Sequence, residues 1–421
     1  MNEKKNFELN RKNFLYGRLI KKKLLKSVNF LEIITPKKDP VQVVVEDKDL
    51  FSLIKKIKEG SILEFKGAFK KTSISHKYST EFQAVDIKVV ANNYQQYTHP
   101  IIANYLKSKD FPINKQIYAL ASDKAKFLLE IRSFIVDYIR SYLSTKGFVQ
   151  INSPKIVESL VEGPTNAFEI DFYGEKRYLS ISNVLYHHIL IVTGYNKFYE
   201  ISPTFRQQHY NTKYQLSEFW VFDFSETWKT RSDMINFLEE LLHFILDSLK
   251  KDFGKSLQGF GINLPKLPKR IKQVKYKEVL KWLGLKEDEY GTHLPRRLME
   301  VIKRRDLPAI WIIDAPNSKK PFFIKRKNNV ALSAELWTDR VPILASGGER
   351  VTDYKEGLEN ISTLNMNSDD FRYYLDALKF GAPPSCTIGM GIERLLQYLT
   401  LQPLHYFTPF PCFPKTKLEF I

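Results

Sequence analysis

The stretch FYEISPTFRQQHYNTKYQLSEFWVFDFSE, residues 198–226, decides how the rest of the chain is read. It opens on alternating apolar and polar residues, the period of a strand. A polar loop follows from Gln207 to Gln215, with the turn-favouring pair Asn211-Thr212 inside it. A second, aromatic-rich strand returns from Glu218 to Phe224. Two antiparallel strands with a long polar tip set Arg206 on a sheet surface beside Phe219. A fixed guanidinium next to an exposed ring suits a nucleotide, by bidentate contact to phosphate oxygens and by stacking on a base. Arginine and phenylalanine on strands also serve packing, and the pattern alone leaves both readings open.

At 421 residues the chain is long enough for two or three domains with separate cores. It is 43% hydrophobic and 27% charged, the balance of a soluble globular protein. No apolar run approaches the roughly 20 residues of a membrane span, so no membrane partner is expected. The N-terminus MNEKKNFELNRKNF lacks an apolar signal core, and the two cysteines, Cys386 and Cys412, fit a reducing compartment; both point to the cytoplasm. No Cys/His cluster has zinc-ligand spacing, His187-His188 being an adjacent pair only. The formal charge of +18, from 65 basic against 47 acidic residues, favours a polyanionic partner, nucleic acid foremost. A general lysine coating of the surface gives the same sum.

Residues 1–92 read as a small β domain. Apolar alternation at Leu15–Ile20, Asn29–Ile34, Val41–Val45, Ser61–Phe69 and Phe82–Val90 predicts five strands, with a helical piece, Lys48 to Lys58, after the third. That order is an OB-fold barrel. Lysines cluster at Lys21-Lys22-Lys23, Lys37-Lys38 and Lys70-Lys71, near strand ends where a nucleic-acid backbone would run. Residues 93–112 read as a linker. The remainder, 113–421, opens with an amphipathic helix from Ser122 to about Ser144 that carries Ile131, Phe134, Ile135, Tyr138 and Ile139 on one side. A second runs from Asp233 to Phe253 and another from Ser368 to Lys379. Residues 255–325 are lysine-rich and weakly patterned, and read as an insertion. The expected fold class is α+β.

The central stretch resembles motif 2 of the class II aminoacyl-tRNA synthetases, most closely the asparaginyl and aspartyl branch. Members read approximately GPxFRAExSNTxRHLxEFW, against SPTFRQQHYNTKYQLSEFW here, residues 202–220. Lys146-Gly147-Phe148 followed by Ile151-Asn152-Ser153-Pro154 resembles motif 1. GMGIERLLQYL, Gly389 to Leu399, resembles motif 3. Three motifs in order make the resemblance specific. It implies an antiparallel catalytic sheet flanked by helices, with ATP and an amino acid as substrates, tRNA as partner, and a homodimer formed through the first helix and motif 1. A core-facing helix carries the same apolar pattern, so only the resemblance argues for the dimer.

The resemblance also assigns roles. Arg206 matches the arginine that grips the α-phosphate and the amino-acid carboxylate, and Phe219 and Arg394 match the pair that sandwiches adenine. Ser346 resembles a serine near the phosphate-bound metal. Glu218 and Gln208 fall in the ATP-binding stretch, Gln208 standing where the family has glutamate. Arg350 fills the arginine slot of the family's GSQR segment, and Glu162-Gly163-Pro164 matches a loop that closes over the amino acid, with proline for its second glycine. On the barrel, Phe30 and Gln42 match the pair that stacks and reads an anticodon base. From residues alone, Phe30 filling the barrel and Gln42 lying idle on its surface is an equal reading. Ile34-Thr35 departs from the family's Arg-Asp.

Other departures are concentrated in the substrate half. The loop Arg-His that reaches the distal phosphates is Tyr214-Gln215, and the acidic pair that holds magnesium aligns with Leu336 and Ile343. Glu335 and Asp339 stand close by as substitutes if the register slips. Mg2+ without those carboxylates loses its hard oxygen ligands. The family's SPQLYK becomes Ser182-Asn183-Val184-Leu185-Tyr186-His187. Valine thus replaces a glutamine that binds the α-amino group, and His187 replaces a lysine near the side chain. A glycine pair in the pocket becomes Cys386-Thr387, and a late arginine becomes Cys412. Adenosine contacts kept and amino-acid contacts changed lead to an ATP-dependent ligase that activates a carboxylic, amino-acid-like substrate other than plain asparagine or aspartate, with tRNA binding. Two alternatives stand beside it: a divergent but genuine asparaginyl-tRNA synthetase, and a catalytically inactive paralogue that binds tRNA or nucleotide.

Overall fold

The computed structural model describes residues 13–36, 40–71, 78–94, 120, 122–158, 167–208, 214–286 and 294–414. The chain forms two compact units, Met1–Pro112 and Ile113–Ile421. In the first, β1 (Phe14–Leu24), β2 (Asn29–Ile34), β3 (Pro40–Val45), β4 (Ile62–Lys71) and β5 (Thr80–Ala91) close a barrel in the order β1-β2-β3-β5-β4. Strand alternation builds it: Leu15, Leu19, Leu31, Ile33, Val43, Val45 and Phe65 point inward and are buried. Backbones come so close at Gly17 that a Cβ there would lie 2.3 Å from the Ile33 side chain. Helix α1 (Phe51–Lys56) lies between β3 and β4, and Ile54 and Ile57 join it to the barrel core. This is the expected OB-fold. Lys22 Nζ donates to the carbonyls of Ile54, Lys55 and Ile57 at 3.1, 3.0 and 2.6 Å, so this lysine caps a helix end and is not left to face RNA. Lys37-Lys38 and residues 95–112 of the expected linker lie outside the described residues.

The second unit begins with α2 (Asp123–Thr145) and β6 (Val149–Gln150), then a small sheet of β7 (Ile156–Val157), β8 (Glu169–Phe172) and β9 (Glu175–Leu179). Helix α3 (Val184–Val192), the hairpin β10 (Lys197–Phe205) and β11 (Glu218–Thr227), and α4 (Arg231–Gly259) follow. Next come β12 (Lys272–Lys275), α5 (Tyr276–Leu283), α6 (Arg297–Arg304), β13 (Ala309–Ile313), β14 (Arg326–Lys327) and β15 (Val330–Ala331). The last elements are β16 (Ser333–Thr338), β17 (Ala345–Glu349), α7 (Tyr354–Thr363), α8 (Arg372–Leu378), β18 (Ser385–Gly391) and α9 (Ile392–Thr400). Among the described residues eight strands form one sheet, β12-β13-β16-β17-β18-β11-β10-β6, antiparallel except at its ends, where β12 runs parallel to β13 and β6 to β10. Residues 255–325 thus supply two strands of this sheet. Glu239 of α4, itself buried, fastens them by accepting from Trp311 Nε1 at 3.0 Å and the Ile271 amide at 3.2 Å.

One face of the sheet forms a core with the helices. Phe222, Phe224, Ile388 and Met390 pack there with Ile131, Ile135 and Ile139 of α2 and Leu238, Leu242 and Ile245 of α4. Leu336 belongs to the same core. The opposite face is left for chemistry. Register places Glu200, Asp223, Gly389, Ser346 and Glu335 in one row across β10, β11, β18, β17 and β16, since directly paired residues share a face. Among the described residues no helix is long and apolar enough to cross a membrane.

Candidate functional site

A cavity of about 930 Å³ opens over that row. Arg206 and Arg394, 188 positions apart in the sequence, both border it, with Phe219 between strand and opening. Arg206 follows the end of β10, where its amide donates to the Ser217 carbonyl at 2.8 Å and its guanidinium lies 5.7 Å from the Phe219 ring centre. Its Nε is buried without a partner among the described residues. Arg394 stands on α9, with Nη1 donating to the Ile343 carbonyl at 2.8 Å and Nη2 to the Tyr214 carbonyl at 3.2 Å. Burial, then the charges of Arg206 and of Arg296, bring Arg394 down to about 10. Among the described residues no carboxylate forms a salt bridge with any of these three arginines. Like charges gathered without a counter-charge favour an anion of several charges.

The inner part of the cavity carries a second arginine site. Arg350 is 2% exposed and borders the cavity. Nη2 donates to the Thr387 carbonyl at 3.5 Å, while Nε and Nη1 have no partner among the described residues. Burial lowers it to about 10. A buried guanidinium with two open N–H groups asks for a carboxylate or carbonyl oxygen. Asp223 also borders the cavity and accepts from Asn183 Nδ2 at 3.2 Å; burial raises its carboxyl. Only glycine fits opposite it: a Cβ on Gly389 would sit 2.1 Å from Asp223 Oδ1. Together Asp223 and Arg350 offer an acceptor for an ammonium group and donors for an acid or amide.

Beneath the cavity floor runs a chain of hydrogen bonds. The Thr387 hydroxyl, at the cavity wall, lies 2.8 Å from Ser225 Oγ, which lies 3.1 Å from His187 Nδ1. His187 Nε2 is 3.3 Å from Glu200 Oε2, and Lys155 Nζ is 2.7 Å from Glu200 Oε1. Burial alone would raise Glu200, but donation from His187, Lys155 and the Ser153 amide outweighs it and holds the carboxyl down to about 2. An ionised carboxylate only accepts, so His187 Nε2 carries a proton. In the neutral ring Nδ1 then accepts from Ser225, and Ser225 from Thr387.

Gln208, Ser182, Val184, Ser346 and Thr387 border the cavity alongside the arginines. Three of the residues expected there do not. His187 is 0% exposed and lies under the floor: Val184 opens the first turn of α3 at the cavity, and one turn later the helix has met the sheet. Cys386 faces the helical core because neighbours on a strand point to opposite faces, so it and Thr387 cannot both line the pocket. Burial pushes its thiol to about 12. Glu218 is exposed at the start of β11, off the cavity wall. Glu162 lies outside the described residues. On the barrel, Phe30 and Gln42 are half-exposed and outward-facing, Phe30 opposite Val44 and Gln42 opposite Glu32, so Phe30 does not fill the barrel. Gln42 Nε2 donates to Glu81 Oε1 at 2.5 Å.

The places where magnesium carboxylates were expected are Leu336, buried in the core, and Ile343, whose carbonyl holds Arg394. Glu335 does border the cavity, but Lys320 Nζ bridges to Oε1 and Trp337 Nε1 donates to Oε2 at 3.0 Å. Asp339 stays off the cavity wall. Among the described residues no group of three or more His, Cys, Asp or Glu is arranged to hold a metal ion. Sequence reasoning missed Asp223, Glu200, Lys320 and Arg296. Asp223 had a signal: a lone carboxylate between Phe222 and Phe224 must face away from the core those rings build.

Comparison with known proteins agrees with this geometry. The family described as tRNA synthetases class II (D, K and N) matches residues 108–413. The aspartate–tRNA(Asp) ligase of Thermoplasma volcanium is 29% identical over 390 residues, covering 90% of each chain. The aspartate–tRNA(Asp/Asn) ligase of Methanopyrus kandleri is 29% identical over 299 residues, covering 69% of this chain and 68% of that one. Among solved structures, asparaginyl-tRNA synthetase from Pyrococcus horikoshii, complexed with asparaginyl-adenylate, superposes with a TM-score of 0.83 at 21% identity over 96% of each chain.

Proposed function

The chain belongs to the class II tRNA synthetases of the aspartate, lysine and asparagine group, and from that premise we propose that it is an ATP-dependent ligase that adenylates an amino-acid-like carboxylic acid and passes the acyl group to tRNA. The observation that carries this reading is the convergence of Arg206 and Arg394 on one cavity that also holds Phe219 and Arg350. Arg206, whose Nε is open, grips the α-phosphate and the attacking carboxylate. Phe219 and Arg394 sandwich adenine. As charge develops on the phosphorus oxygens, fixed guanidinium groups in a water-poor site stabilise it without reorganising. The protein works in the cytoplasm as a homodimer, with the barrel of the first unit binding tRNA through Phe30 and Gln42.

The substrate is other than free asparagine or aspartate. Val184 borders the cavity where an amide would hold the α-amino group, and an apolar wall removes one of the acceptors a buried amine would use. One observation favours a second reading, a genuine asparaginyl- or aspartyl-tRNA synthetase: Asp223 and Arg350 together still offer an ammonium acceptor and side-chain donors. ATP–pyrophosphate exchange across the amino acids and their side-chain analogues, followed by tRNA charging, separates the two. Strong exchange with an analogue and little with asparagine or aspartate is expected. Comparable exchange with either of those two favours the second reading. No exchange with any acid removes the ligase and leaves a nucleotide- or tRNA-binding role.

A further inference from the structure

We propose that this chain neutralises the distal phosphates of its nucleotide with side-chain cations in place of a divalent metal, with Lys320 occupying the Glu335 carboxylate and Arg296 adding a guanidinium from its place over the Tyr214 ring. The inference rests on the nucleotide reading above and deepens it. A hard divalent cation needs carboxylate oxygens with free lone pairs. Every carboxylate that borders the cavity among the described residues already has donors. Glu335 takes Lys320 on one oxygen and Trp337 Nε1 on the other. Glu393 takes Arg132 Nη2 at 3.2 Å and the Trp220 amide at 2.9 Å, and Asp223 takes Asn183. Leu336 points into the core on the far face of the sheet, so a one-residue slip brings Glu335 to the cavity, and that is the carboxylate Lys320 occupies. The residues present do not fit the metal.

Cations take the vacated role. Glu335 pairs across the sheet with Ser346, so the Lys320 ammonium sits on the row that also carries Asp223 and Gly389. Arg394 is fastened to the Ile343 carbonyl, the very residue aligned with a lost carboxylate. Where the resemblance puts an Arg-His reaching the outer phosphates, this chain has Tyr214-Gln215. A guanidinium nevertheless returns to that place from another segment: Arg296, just before α6, lies 5.0 Å from the centre of the Tyr214 ring. Tyr214 borders the cavity, and its carbonyl also holds Arg394. A ring under a guanidinium orients it without neutralising it, so the charge stays available to phosphate.

Calorimetric binding of ATP and AMP, each with EDTA and with saturating magnesium, tests this on the full chain. Removing magnesium is expected to change wild-type ATP affinity by less than about tenfold. Arg296→Ala, at an exposed position, should weaken ATP by about tenfold or more and AMP by less than about twofold. Lys320→Met frees Glu335 and should make ATP binding depend on magnesium. A tenfold or larger magnesium requirement in the wild type, or equal losses of ATP and AMP in Arg296→Ala, overturns the inference while leaving the ligase reading intact. Failure of both nucleotides to bind under every condition overturns the two together.

Discussion

Glu200, at 0% exposure, lies between an imidazole and an ammonium, and its ionised state holds the floor of the cavity in place. Its folded pKa is depressed, to about 2, so its stabilising contribution is present above the ordinary carboxylate range near pH ~4.3 and is lost as pH falls through about 2. Glu200→Gln should therefore cost about 3 kcal/mol at neutral pH, and the gap to wild type should close between pH ~4.5 and ~2. All five tryptophans lie between residues 220 and 337, so urea unfolding followed by their fluorescence reports this unit alone. A gap that stays constant through that acid range would show that pairing does not set the ionisation of Glu200. The same network marks the limit of what residues disclose in a sequence. Arg206, Phe219 and Arg394 were legible because a motif fixes their elements. The depth of His187 was not, since the turn at which α3 meets the sheet is set by tertiary packing. Cys386 was misplaced for a plainer reason: strand alternation separates it from Thr387, and that signal was available in the sequence.

Helix α4 begins with a reciprocal cap. The Thr230 side chain accepts from the Asp233 amide at 3.3 Å, and Asp233 Oδ2 accepts from the Thr230 amide at 2.8 Å. The Thr230 amide and hydroxyl, both donating to Oδ2, draw the Asp233 carboxyl below its usual range. Thr230→Ala should cost about 1 kcal/mol in the same fluorescence-monitored unfolding. A change within experimental error would mean that the packed stripe Leu238, Leu242 and Ile245 fixes the helix without help from its cap. This helix was legible from its 3.6-residue period, and the barrel strands from their period of two. The β12 and β13 strands were not. AIWII in β13 is apolar throughout because it is covered on both faces, and a short continuous run carries no period with which to tell strand from helix. The lysines around it hid a strand that Glu239 fastens to α4 from beneath.

Across the whole molecule a charge of +18 has to be divided between sites that use it and surface that merely carries it. Part is sequestered: Lys22 caps α1 and Lys155 holds Glu200. Among the described residues, Arg206, Lys319, Lys320, Arg350 and Arg394 border the cavity. What remains on the barrel surface, including the exposed Lys21 and Lys23, surrounds an aromatic and not a uniform basic face. Phe30 lies opposite Lys23 on one side and Val44 on the other, with Glu32 accepting from the Tyr78 hydroxyl at 3.0 Å and paired across the strands with Gln42. Lysines bind a phosphate backbone with strong salt dependence and little base preference, whereas a ring binds an unstacked base with little salt dependence. The two contributions therefore separate in one titration. Phe30→Ala should weaken binding of a tRNA pool by roughly tenfold at every salt concentration, leaving the slope of log affinity against log salt unchanged. Lys23→Ala should leave base preference alone and reduce that slope by about one. Both variants should retain ATP–pyrophosphate exchange, because every described residue that borders the cavity belongs to the other compact unit. If Phe30→Ala binds tRNA like the wild type while Lys23→Ala does not, the barrel holds RNA by charge alone and reads no base through Phe30.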